Sequence, residues 1–167
     1  MIATTGSFYL TTYTPLVASK TGRAASEVRT ICPFVDGSIR REPDLEHEYP
    51  AISCLCRKGK FAPRLNVGDT VAYMTVKRRF GTDNPPHRRL TAVLGVIERL
   101  NSHQEAAAWY RSRSFPLPNN CMVEGNLPKP LDESHVLHRR AREATGDALV
   151  RIWDGEYRKR AREFGTV

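Results

Sequence analysis

Residues 68–76 read Gly-Asp-Thr-Val-Ala-Tyr-Met-Thr-Val, and residues 89–100 read Arg-Leu-Thr-Ala-Val-Leu-Gly-Val-Ile-Glu-Arg-Leu. Gly68-Asp69 is a tight-turn pair, and the β-branched and aromatic residues after it predict a strand. The second run reads as the clearest long strand of the chain. Gly95 in its middle is expected to mark a bulge or a bend where the sheet curls. Between the two runs lies Lys77 to Arg88, a long cationic connection that contains Gly81, Pro85 and Pro86. It is too long for a tight hairpin turn.

Working outward, the aromatic and β-branched run Phe8 to Tyr13 predicts a strand that Pro15 ends. Residues 18–28 are small and polar and predict a loop or a short helix starting at Ser19 or Ser26. Arg29 to Val35 (RTICPFV) reads as another extended run, and Pro33 within it suggests a sheet edge. Asp36-Gly37 is a turn signal, and Ile52 to Cys56 is a short strand candidate. Ser102 with Glu105 three residues on is a capping box, so a helix is expected over residues 102–113. The Ser-Phe-Pro-Leu-Pro run at 114–118 ends it. Residues 119–130 read as an ordered loop with one short strand at Cys121 to Val123. Beyond it a helical segment runs through Ala144. A second, from Asp147 to Phe164, carries Leu149, Ile152, Trp153, Tyr157, Ala161 and Phe164 at helical spacing.

The chain has 167 residues, 40% of them apolar and 26% charged. That is an ordinary globular composition, long enough for a core without staples. One domain is expected over residues 1–167, with a β-rich core at 1–130 and a helical extension at 131–167. No stretch approaches the roughly 20 apolar residues of a membrane span. The first residues carry no basic leader with an apolar region behind it, so a cytoplasmic protein is expected. Cys32, Cys54, Cys56 and Cys121 are then expected to be reduced thiols.

The net charge is +8 and it is unevenly spread. Glu42, Asp44, Glu46 and Glu48 make residues 42–48 acidic. Residues 57–89 hold Arg57, Lys58, Lys60, Arg64, Lys77, Arg78, Arg79, Arg88 and Arg89 against only Asp69 and Asp83. Clustered cations attract phosphate through screened Coulomb forces and release of counterions. A solvated face that merely keeps the protein soluble is the plainer reading, and the clustering argues for polyanion binding.

The Gly68-Asp69 turn, strand 70–76, the cationic connection, the glycine-containing strand around Gly95 and the capped helix together resemble the PUA-like superfamily. They are most similar to its bacterial and phage branch of nucleotide-modification-associated domains. The resemblance covers roughly residues 50–125, with the opening Phe8-Tyr9-Leu10 strand as a further part. It implies an α+β fold: a curved PUA-like β-barrel with helices packed at its C-terminal side. It also implies binding of RNA or DNA, with a modified base held in a pocket. A base out of its stack needs an aromatic slot, and cations on the rim hold the flanking phosphates. Tyr73, Trp109 and Tyr110 are the candidate slot. Lys77, Arg78, Arg79, Arg88 and Arg89 are the candidate rim, with Arg57, Lys58 and Lys60 extending it. For Trp109 a core anchor on the helix, and for Tyr73 a cross-strand partner, are the plainer roles.

Other chemistry is less well furnished. Cys54 and Cys56 face the same side of a strand and, with His47, Cys32 or Cys121, have ligand types that suit zinc. Paired knuckles are absent, however, and cysteine is commonly buried. His135 and His138 sit three apart without a catalytic framework. Cys56 lies among Arg57, Lys58 and Lys60, a field that lowers a thiol pKa, yet nothing places a base beside it. No phosphate-cradling loop or dinucleotide fingerprint is present. No metal, cofactor or catalytic residue is therefore expected. An enzyme acting on nucleotides, and a protein-interaction module pairing the acidic and basic segments, are the alternative readings.

Overall fold

The computed structural model describes residues 6–19, 23, 26, 32–37, 42–53, 60–80, 82, 85–118, 120, 121, 123 and 126. The chain divides into two compact units. The first comprises residues 1–37 and 64–99, and the second residues 38–63 and 100–167. The described secondary structure is a mixed sheet in the first unit and one long helix in the second, an α+β composition.

The sheet has three strands in the order β1 (Phe8–Tyr13), β2 (Thr70–Thr75), β3 (Leu90–Gly95). β1 and β2 run parallel, with Phe8 opposite Thr70 and Tyr13 opposite Thr75. β2 and β3 are antiparallel, with Thr70 opposite Gly95 and Met74 opposite Leu90. Among the described residues the sheet is open, with β1 and β3 at its edges.

Alternation assigns the two faces. Thr11, Tyr13, Val71, Tyr73 and Thr75 are buried on one of them, and Thr70 and Ala72 of the central strand are buried on the other. Leu16, Val35, Leu65 and Phe80 are buried in the same unit. Thr75 is wholly inside, and its hydroxyl oxygen accepts from the Arg89 amide at 2.9 Å. The Thr91 hydroxyl donates to the Tyr73 carbonyl at 3.0 Å. These side-chain bonds restore pairing where the β2–β3 register slips between Tyr73 and Met74.

Asp69 joins the ends of all three strands. Its Oδ1 accepts from the Ser7 amide at 2.7 Å and its Oδ2 from the Asn66 amide at 2.8 Å. Its own amide donates to the Asn66 carbonyl, and its carbonyl accepts from the Val96 amide at 2.8 Å. Gly68 beside it has φ 94°, a left-handed conformation that favours glycine. Gly6 is needed for a different reason: a Cβ there would lie 2.5 Å from Asp69 Oδ1.

Three strand expectations change. Residues 32–37 form a turn with a single bridge, Pro15 to Asp36, rather than a strand. Pro33 has no amide to give a ladder, so this segment instead offers carbonyls: Val35 to the Leu16 amide and Pro33 to the Val17 amide. Gly95 ends β3 rather than bending its middle, and the irregularity falls at Tyr73/Met74. Ile52 and Ser53, and Cys121 and Val123, are irregular. Arg23 and Ser26 are helical, as one of the two readings of that segment expected. Residues 54–56 and both C-terminal helical segments lie outside the described residues.

In the second unit the helix α1 spans His103–Ser112. Ser102 Oγ accepts from the Glu105 amide at 3.0 Å, as the capping box requires. The Glu105 carboxylate reaches back one residue further than the usual box and accepts from the Asn101 amide at 2.7 Å. The other end closes as a Schellman motif. The Ser114 amide donates to the Arg111 carbonyl and the Phe115 amide to that of Tyr110, each at 3.0 Å. Ser114 takes φ 59° there, where glycine is more usual. The helix buries Ala107 and Tyr110, and Ala107 packs with Cys121 and Val123, flanked by Ala106 and Leu117.

Asp69→Ala leaves the Ser7 and Asn66 amides without their acceptor and is expected to cost about 3 kcal/mol in urea unfolding. Asp69→Asn is expected to lose a comparable amount, because the amide presents N–H to one of two N–H donors. Ser114→Gly relieves the left-handed φ and is expected to stabilise by about 0.5 kcal/mol in the same assay, the gain reduced by glycine's greater unfolded freedom.

Candidate nucleic-acid interface

The β2–β3 connection is closed at its base by the residue pair Arg78 and His87, whose amides and carbonyls exchange two hydrogen bonds of 3.0 Å. Lys77, Arg78, Arg79 and Arg88 are all exposed on it. Arg88 Nη1 reaches the Thr75 carbonyl at 3.4 Å. The connection therefore presents four cations close to where it is anchored to the sheet.

Arg89 is placed differently. Its guanidinium lies over the Phe34 ring at 4.9 Å and the Phe80 ring at 5.6 Å. Its Nε donates to His87 Nε2 at 3.2 Å. With Nε2 accepting, His87 Nδ1 carries the proton and donates to the Pro85 carbonyl at 3.1 Å. Phe80 packs edge-on against both Phe34 and His87. Arg89 thus belongs to a cation–aromatic cluster on the covered side of the sheet.

Lys60 and Arg64 are exposed, the former in the second unit and the latter in the first. Arg57 and Lys58 lie outside the described residues. The cations of residues 57–89 thus belong to two units, and the anchored group is Lys77, Arg78, Arg79 and Arg88.

Of the three expected pocket rings, Tyr73 is 3% exposed within the first unit, on the covered face of β2. Tyr110 is 4% exposed in the second. Its hydroxyl donates to the Tyr49 carbonyl at 2.7 Å. Burial pushes its phenol above the ordinary tyrosine range, and Cys121 and Asp44 nearby add to the shift. Trp109 alone keeps part of its surface open. Arg113 lies 4.2 Å above its ring, and Tyr49 and Phe115 pack beside it at 5.8 and 6.4 Å. Tyr49 and Phe115 were not legible as site candidates. The Schellman turn that delivers Phe115 is local, but the packing of Phe115 on Tyr49 and the Tyr110 bond that fixes the Tyr49 backbone are tertiary contacts.

Of the residues considered for metal or thiol chemistry, His47 and Cys121 are engaged in hydrogen bonds. His47 Nδ1 accepts from the Tyr49 amide at 2.9 Å and its Nε2 donates to the Pro116 carbonyl at 2.8 Å. Cys121 is buried, its Sγ donating to the His103 carbonyl at 3.6 Å. Burial pushes its thiol up, against a smaller opposing effect of Arg111. Cys32 is exposed, and Cys54 and Cys56 lie outside the described residues. Among the described residues no three histidines, cysteines or carboxylates cluster as a metal site would need. No described helix is long and apolar enough to cross a membrane.

The raised Tyr110 value has a stability consequence. A group whose folded pKa is raised contributes stability that is complete below its unfolded value of about 10 and lost as pH rises through the folded value. Thermal melts across the alkaline range are expected to show falling stability above that point. Tyr110→Phe is expected to be less stable by about 1 kcal/mol at neutral pH and to show a shallower alkaline decline. Tyr13, also raised by burial, retains its share of the decline.

Comparison with known proteins finds no matching family model, no matching curated protein and no matching solved structure.

Proposed function

We propose that the protein binds nucleic acid through the β2–β3 connection. One observation carries the reading: Lys77, Arg78, Arg79 and Arg88 are exposed together on a segment that the Arg78–His87 pair ties to the sheet. Four cations held by a rigid base lose less freedom on meeting a phosphate chain than four on a loose loop. A surplus of eight positive charges over the chain supports the same partner through long-range attraction.

In its finer form, the three-stranded sheet is part of a PUA-like curved barrel and the partner carries a modified base. Of the expected slot rings, Trp109 keeps part of its surface exposed, under Arg113 and beside Phe115 within the second unit. Tyr73 and Tyr110 act from within the core, as cross-strand and helix-packing side chains. The chemistry is recognition: phosphate contacts give affinity without sequence preference, and base contacts give selectivity.

Binding of labelled single-stranded and duplex oligonucleotides across a salt series tests the proposal. With four phosphate contacts, log affinity for duplex is expected to fall with a slope of roughly −3.6 against log salt. Arg78→Glu with Arg79→Glu is expected to weaken binding to all sequences alike and to flatten that slope by about two. An affinity indifferent to salt, or unaltered by the double reversal, overturns the proposal.

A further inference from the structure

The second face of the sheet is exposed along both edge strands, over a central strand whose Thr70 and Ala72 are buried, and carries no charge along its strands. Register and alternation place Phe8, Leu10 and Thr12 of β1 beside Thr70, Ala72 and Met74 of β2. Gly95, Val93 and Leu90 of β3 complete it. Phe8 is 66% exposed, Leu10 64%, Leu90 60% and Val93 45%. Single exposed apolar side chains are ordinary on a protein surface, but four on one sheet face form a patch. Val67 and Ile97 are also exposed, at the Gly68 end of the sheet.

The far end of this face meets the cationic connection. Arg88 stands two residues before Leu90 and so continues its side of the strand, whereas Arg89 turns to the covered side. Lys77, Arg78 and Arg79 leave β2 at the same end. The exposed edges of this face are therefore apolar along their length and positive at one end, without a carboxylate on its strands.

That combination selects the occupant. A second copy of this sheet laid on the face would bring no negative charge from its own strands to Arg88, and a charge buried without a partner is costly. Duplex nucleic acid offers phosphates but keeps its base faces stacked away from an apolar surface. A single strand offers both: phosphates for the cations, and base faces for Leu90, Val93, Leu10 and Phe8. We infer that the ligand is a single-stranded nucleic acid whose bases lie against the exposed edge-strand side chains of this face, Phe8 stacking on one of them, while its phosphates follow the β2–β3 connection. The inference rests on the proposed nucleic-acid reading and narrows it to single strands.

The test uses the full chain, an oligothymidylate of roughly 15 nucleotides and a duplex of the same length. Wild type is expected to prefer the single strand. Phe8→Ala is expected to weaken the single strand roughly tenfold and to leave the duplex unaltered. Leu10→Lys adds a cation to the face. If bases lie there it weakens the single strand, and if only phosphates are bound it strengthens both probes. Equal affinity for the two probes, or equal effects of Phe8→Ala on both, overturns the inference while leaving the salt-dependent reading standing. Salt-insensitive binding, or none at low salt, overturns both. A wild-type dimer in sedimentation that Phe8→Ala renders monomeric assigns the face to protein association and overturns the inference.

Discussion

The Asp69 carboxylate is the constraint on which the first unit depends. β1 and β2 are parallel, so no short turn joins them, and more than fifty residues separate Tyr13 from Thr70. Something other than a loop must therefore set their register. Asp69 does so by taking the Ser7 amide on one oxygen and the Asn66 amide on the other, while its own carbonyl takes Val96. The start of β1, the turn before β2 and the end of β3 are then fixed relative to one carboxylate. A slip of one residue in β1 would turn Phe8 and Leu10 to the covered face and expose Tyr13. Gly6 makes the arrangement sterically feasible, because any side chain at that position meets Asp69.

From that register follows the division of the cations. Once β3 is paired so that Leu90 opposes Met74, adjacent residues before it diverge. Arg89 enters the Phe34–Phe80–His87 cluster, and Arg88 stays exposed. Two arginines next to each other in sequence thereby acquire unrelated environments. The guanidinium of Arg89 lies over rings and donates to an imidazole nitrogen, which holds the base of the connection. Its neighbour keeps its charge available to solvent.

Locally encoded features were the legible ones. The helix α1, its Ser102–Glu105 cap and its stop depend on contacts within a few residues, and the sequence shows them directly. Strands β1, β2 and β3 were legible from their β-branched and aromatic runs, and the Gly68-Asp69 turn from residue type. The parallel pairing was not, because it spans two distant segments and rests on a side chain whose partners no spacing rule reveals. That β2 is buried on both faces, with Met74 alone part-exposed, agrees with its lack of alternation: Thr70, Ala72 and Met74 are scarcely more polar than Val71, Tyr73 and Thr75. Tyr73 therefore suited a pocket or a core equally by type, and burial decides that it is interior. For the cations, clustering in sequence was legible, but their distribution between two units was not.

The exposed edge strands pose the sharper physical question. A solvent-facing strand edge is a place where lysine, glutamate or threonine costs nothing, and charged side chains there protect edges from adventitious pairing. This chain has 26 lysines and arginines, yet on this face its edge strands expose phenylalanine, leucine and valine. On folding, those side chains gain little from burial, since they stay largely wet. Their contribution must come from something that covers them, and the neighbouring positive charge limits what that can be. A purely apolar partner would leave Arg88 in a drier setting without a counter-charge. A partner that is only a polyanion would leave the apolar strands unused. An occupant carrying flat apolar surfaces at intervals along a negatively charged backbone satisfies both requirements with one molecule, and the geometry of a single parallel-strand register decides that both requirements meet on the same face.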